Sequence, residues 1–154
     1  MTDIFMKIDG IPGDSKDAAH LGEIEVLSWT WRIAKYRPND SGQLYGNGKK
    51  GVGGLEFVHR IDQATPKLTH FCLTGNRIVK ATLSLRENNA GPFDFFTLTM
   101  SNVLIDQLTP CSADVDHYET VMLSFTSVKQ EYIVKNERGN CAVVSSCYDM
   151  VRQM

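Results

Sequence analysis

A chain of 154 residues, 22% charged and 42% hydrophobic, is long enough to bury a core as a single domain over 1–154 and too apolar to be disordered. Its 16 basic and 18 acidic residues leave a net charge of −2, which excludes a general electrostatic drive toward nucleic acid or anionic lipid. No window reaches the apolar length of a membrane span, and MTDIFMKIDGIPGDSKD lacks the order of a secretory signal, so a cytoplasmic origin is expected.

Ile4, Met6 and Ile8 alternate with more polar neighbours and predict a short, half-buried strand, followed by the turn-rich stretch Asp9 to Asp14 and charged residues to Gly22. Ile24 to Lys35 alternates as well. Strict alternation puts Leu27, Trp29 and Trp31 on one face and Ile24, Val26, Ser28, Thr30 and Arg32 on the other, so both faces carry apolar residues.

Arg37 to Gly54 (RPNDSGQLYGNGKKGVGG) holds six glycines in eighteen residues and little that could anchor it. Ordering a backbone costs roughly 1–2 kcal/mol per residue. The segment is therefore read as a long extended loop, either passive or an arm that orders against another chain. The second reading makes Gln43, Leu44, Tyr45, Lys49 and Lys50 self-association residues.

Leu55 to Ile61 predicts the next strand, ended by Asp62 to Ala64. Thr65 to Thr74 predicts the one helix, with Thr65 as N-cap, Pro66 at the first position, Gly75 and Asn76 as the left-handed stop, and an apolar stripe of Leu68, Phe71 and Cys72. Val79 to Leu85 alternates, and Glu87 to Pro92 is a turn by composition. Two long strands are expected over Phe93 to Gln107 and Glu119 to Lys135, separated by a polar loop over Leu108 to His117. Cys141 to Tyr148 closes the list after a turn at Asn136 to Asn140. About seven strands and one helix predict an all-β fold, a small antiparallel barrel or sandwich.

The catalytic signals are missing. There is no GxSxG, GxxxxGK[ST] or HExxH, and GNGKKGVGG has no strand before it and helix after it in the order a phosphate cradle needs. His20, His59, His70 and His117 are scattered, and unrelated surface or half-buried histidines are expected in place of a metal site. Cys72 reads as a core residue, and Cys111, Cys141 and Cys147 form no CxxC pair, so free thiols are the default. Asp14, Ser15, Asp17 and His20 hold the ingredients of acid–base chemistry, yet their spacing in a turn-rich segment suits backbone capping equally. No enzyme, cofactor or metal is expected. A ligand-binding barrel or a hydrolase with a dispersed site are the other classes, marked by a monomer with an apolar pocket or by turnover.

GxxGxSxDxxH from Gly10 leads into EIxVLSWxW from Glu23, then come IDxATPxL from Ile61 and SFxxVKQEY from Ser124. In that combination and order the chain, up to about Val134, resembles the haemolysin-coregulated protein (Hcp) family of the bacterial type VI secretion system. The resemblance implies a small β-barrel with one helix that forms six-membered rings. The rings stack into a hollow tube, which a contractile sheath drives into a target cell, carrying effector proteins in its lumen. Expected partners are thus further copies of the chain, effectors, and the sheath and spike-tip proteins, with export from the cytoplasm through the secretion machine. The resemblance also makes the polar strand face of Ser28, Thr30 and Arg32 a candidate lumen wall that meets effectors. The long loop and the tail Gly139 to Met154 depart from the family's usual run.

Overall fold

The computed structural model describes residues 2–34, 51–87, 93–135, 139 and 141–152, with the backbone alone described for 51–53. In chain order the elements are β1 (Thr2–Ile8), β2 (Ile24–Ala34), β3 (Gly51–Arg60), α1 (Thr65–Thr74), β4 (Ile78–Glu87), β5 (Asp94–Ala113), β6 (Asp116–Ser124), β7 (Ser127–Lys135) and β8 (Cys141–Asp149). All strand pairs are antiparallel. The order β4-β1-β2-β3-β6-β5 closes through β4–β5 pairing, and β7 and β8 continue outward from β5. The result is a barrel-like ring of six strands with a two-stranded extension.

Closure depends on β5, twenty residues long. Its first half pairs with β4 and β7, and its second half pairs with β6. Asn102 between the halves adopts φ 56°, a left-handed conformation that asparagine tolerates better than most residues, and bends the strand from one sheet into the other. The returning chain keeps one register along β5, from Leu104↔Ser124 to Phe96↔Tyr132, but parts at Phe125 and Thr126. The expected single strand over Glu119 to Lys135 is thus two, and the strands among the described residues number eight. The cause is the corner, where Phe125 turns inward to be buried and Thr126 N–H bonds the Ser101 carbonyl at 3.1 Å.

The polar stretch Leu108 to His117, expected as a loop, is instead paired strand. Ala113 faces Asp116 across a tight turn with Asp114 at φ 55°. Beyond Arg60, where β3 ends, this finger has no third strand beside it among the described residues; most of its side chains are exposed, and its sequence is polar without being loop. Likewise Gly51 to Gly54, the end of the glycine-rich segment, is the start of β3, with Ala34↔Gly51 and Ile33↔Val52 paired.

The core is one cluster built from Met6, Ile24, Leu55, Phe57, Leu83, Leu98, Met100 and Leu123, all fully buried, with Leu68 of α1 packed onto it. Phe71 and Cys72 complete the helix stripe as partly buried neighbours. Gly75 at φ 70° ends the helix with its N–H on the Phe71 carbonyl at 3.0 Å, but Thr65 is not the N-cap. Ala64 occupies that position, Asp62 Oδ1 accepts the Ala64 N–H at 2.8 Å, and the Thr65 hydroxyl is drawn away to Glu119 Oε1 at 2.9 Å.

Candidate interaction surface

Strand β2 carries the candidate face, and a bulge decides which side it shows. Val26 pairs with His59 and Ser28 with Val58, so β2 spends one extra residue at this point. Alternation restarts after it. Ile24 and Val26 point into the core, Leu27 is pushed outward to 49% exposure, and Trp29 and Trp31 return to the inside, where Trp29 stacks on Phe96 and Trp31 tilts against Phe125. The expected split, with Leu27, Trp29 and Trp31 opposite Ile24 and Val26, is therefore wrong, because strict alternation does not survive a bulge. The inference that β2 has two apolar faces goes with it.

Ser28, Thr30 and Arg32 are exposed on the outer face. Register extends that face across the sheet in two rows, Ser28–Val58–Thr120–Thr109 and Thr30–Glu56–Met122–Gln107, since directly paired residues share a side. With Arg32, the face carries four hydroxyls, one carboxamide, one carboxylate, one guanidinium and two apolar side chains, so its named charges balance. A second bulge, on β3, places Gly53 and Gly54 opposite Arg32. Glycine is required at 54, because a Cβ there would stand 2.6 Å from the Leu123 carbonyl oxygen. Gln43, Leu44, Tyr45, Lys49 and Lys50 lie outside the described residues.

The extension offers a different surface. On the side of β7 and β8 continuous with the core-facing Phe96 and Met100, the cross-strand pairs Tyr132↔Val144 and Val134↔Ala142 are uncharged. Tyr132 is 48% exposed, Val134 41% and Val144 60%. The opposite side carries Lys129, Glu131 and Lys135. Among the described strands β8 alone stands at an open end of the sheet order.

Two histidines expected to be incidental are built into the fold. His59 is fully buried with Nε2 at 2.7 Å from Glu119 Oε1, the oxygen that also accepts from Thr65, so the pair ties α1 to β3 and β6. His20, 6% exposed, sits with Nδ1 at 3.0 Å from both Glu23 carboxylate oxygens and Nε2 at 2.8 Å from Asp94. Only the i, i+3 spacing of His20 and Glu23 could have signalled a contact in the sequence; Asp94 and Glu119 lie 74 and 60 residues from their histidines. Of the other residues in that segment, Ser15 Oγ accepts the Asp17 N–H at 3.2 Å and Asp17 Oδ1 accepts the Ala19 N–H at 2.9 Å, which is capping. Arg86 forks onto Asp17 and Asp3 and holds the Asp17 carboxyl well below the usual carboxylate range. His70 and His117 are exposed, and among the described residues no three His, Cys, Asp or Glu side chains gather as a metal site.

Comparison with known proteins follows the same architecture. Residues 5–132 match the family model described as type VI secretion system effector, Hcp. The chain is 33% identical over 133 residues to protein hcp1 of Pseudomonas aeruginosa, covering 84% of this chain and 82% of that protein. The crystal structure of Hcp1 from Salmonella typhimurium superposes with a TM-score of 0.85 at 37% identity, over 99% of this chain and 97% of the other. A type VI secretion system effector from Yersinia pestis gives 0.80 at 32% identity, over 96% and 99%. Family match, sequence identity and fold likeness thus agree, and the chain belongs to the Hcp family of the type VI secretion system.

Proposed function

We propose that this chain is a structural tube subunit of a type VI secretion system, assembling as hexameric rings that stack into an exported hollow tube with effector proteins in its lumen. The family match over residues 5–132 carries the reading. A physical observation supports self-association: the core-side face of the β7–β8 extension is uncharged and open to solvent, although isolated proteins tend to cover or charge such faces and edges. A second copy of the chain is the occupant that a ring requires.

The outer face with Ser28, Thr30 and Arg32 is the candidate lumen wall. Its hydroxyl-rich, nearly neutral surface suits weak, reversible contact with varied proteins better than tight recognition of one ligand. Gln43, Leu44, Tyr45, Lys49 and Lys50 are the proposed contacts between stacked rings. No helix among the described residues is long and apolar enough to cross a membrane, and passage from the cytoplasm outward would rest on the secretion machine, with its sheath and spike-tip proteins as partners. No enzymatic step is assigned.

Light scattering combined with negative-stain images of the purified chain tests the proposal. A six-membered ring is the expected result. A monodisperse monomer at micromolar concentration would overturn it.

A further inference from the structure

The GxxGxSxDxxH motif has no part in the assembly reading, yet its Gly13, Ser15, Asp17 and His20 are committed to one structure. Gly13 is needed because a Cβ there would stand 2.6 Å from the Glu23 carbonyl oxygen and 2.7 Å from the Ile24 Cα. That approach is fixed by Gly13 N–H on the Gly22 carbonyl at 2.8 Å and Ser15 N–H on the Glu23 carbonyl at 2.9 Å. Asp17 is gripped by Arg86, whose guanidinium also lies over the Phe5 ring at 5.3 Å. His20 stacks on the same Phe5 ring at 4.3 Å between centroids and 12° between planes. This segment is what buries Phe5, on the sheet face opposite the core.

Both ring nitrogens of His20 face carboxylates, Glu23 on one side and Asp94 on the other. Only the imidazolium can donate from both nitrogens; the neutral ring would turn a lone pair toward a carboxylate oxygen at 3.0 Å or less. We propose that Gly13–Glu23 is a proton-held latch: the His20 imidazolium bolts the segment to the start of β5 through Asp94. Loss of its proton frees that end while Arg86 keeps the Asp17 end docked.

The surroundings favour the charged ring. The segment itself presents Glu23 and Asp17, β5 presents Asp94, β1 presents Asp3 and Lys7, and β2 presents Glu25, paired with Phe5 on the same sheet face; the cations are Lys7 and Arg86 of β4, the latter held by Asp17 and Asp3, so carboxylates outnumber them. Burial alone would push His20 down, but the bonds to Asp94 and Glu23 outweigh it and raise the group above its usual 6.5. A raised folded value means that the latch is fully formed below the unfolded value and is lost as pH rises through the folded one. The segment is thus tightened by mild acid and loosened by mild alkali, the reverse of the acid sensitivity of the Asp17–Arg86 pair.

The test is amide hydrogen exchange by mass spectrometry on the intact protein at about pH 6 and about pH 9, corrected for intrinsic exchange, with a tenfold change in protonation expected per pH unit beyond the midpoint. Protection over 13–23 should fall about tenfold or more between the two conditions in the wild type and should be low at both in His20→Gln. Equal wild-type protection at both conditions would overturn the latch, as would an unchanged pH response in His20→Gln. If His20→Gln does not fold, Asp94→Asn keeps the imidazole and its Phe5 stack. The wild-type transition should then move to lower pH, and an unmoved transition would overturn the proposal.

Discussion

Replacing Gly13 by alanine should destabilise the protein more than any other single methyl group added to its described glycines. The backbone conformation is not the reason, since Gly13 does not take a positive φ. The added Cβ would stand 2.6 Å from the Glu23 oxygen, 2.7 Å from the Ile24 Cα and 2.8 Å from the Glu23 carbonyl carbon, all main-chain atoms that no rotamer change can move aside. Ile24 is fully buried, so β2 cannot retreat without opening the core, and the segment can retreat only by giving up the hydrogen bonds at Gly13 and Ser15. Overpacking of this kind costs about 1–3 kcal/mol, and a weakened backbone bond adds about 0.5–1.5. The sum, about 1.5–4.5 kcal/mol, lowers the melting temperature of a chain this size by about 3–18 °C. Thermal unfolding followed by circular dichroism at fixed protein concentration reads the change, with Gly10→Ala as control, where the space is open and only φ +80° opposes the side chain. A Gly13→Ala variant that melts with the wild type would refute the close-packing argument.

Glu119→Ala leaves His59 Nε2 and the Thr65 hydroxyl without their buried acceptor and should cost about 2–5 kcal/mol in urea unfolding, with Glu119→Gln milder because one acceptor oxygen remains. An alanine variant within about 0.5 kcal/mol of wild type would show the pair to be incidental. Replacing residues 43–50 by a short Gly/Ser linker should leave melting nearly unchanged, since loop closure differs by well under ~1 kcal/mol, while ring stacking weakens. Unchanged stacking in electron micrographs would make the segment passive. Thr30→Lys, which faces Glu56 across the strand pair and so avoids like-charge repulsion, should keep rings and stability intact to within about 0.5 kcal/mol. It should reduce effector co-purification; intact rings with full retention would remove Thr30 from the lumen face.

Much of the fold was legible because its strands and helix obey simple periods. Met6 and Ile8, Leu55 and Phe57, and the Leu68–Phe71–Cys72 stripe are buried or partly buried as their spacing predicts. What could not be read was where regularity breaks. A twenty-residue strand shared between two sheets looks like a strand followed by a loop, because the side chains of its outer half are exposed among the described residues and therefore need not be apolar. Thr65 looks like an N-cap until the carboxylate of Glu119, brought by a distant strand, offers its hydroxyl a buried partner.

The candidate face shows how residues can be assigned to the right side of a strand for an incorrect reason. Strict alternation set Ser28, Thr30 and Arg32 against Trp29 and Trp31, which holds, but it also joined Leu27 to the tryptophans and Ile24 to the polar row, which does not. The bulge between Val26 and Ser28 separates the strand into two phases, each alternating by itself. Before it, Ile24 and Val26 fill the core; after it, Trp29 and Trp31 do, and the polar residues are left outside in a continuous row with Glu56 and Met122. The same bulge expels Leu27, which adds an apolar side chain to an otherwise hydroxyl-rich surface. A flat strand would have forced either Ile24 and Val26 or the two tryptophans out of the core. The extra residue lets both pairs face inward, Ile24 and Val26 fully into the core and the two tryptophans packed against it, so the polar residues of the strand all remain on the outer side.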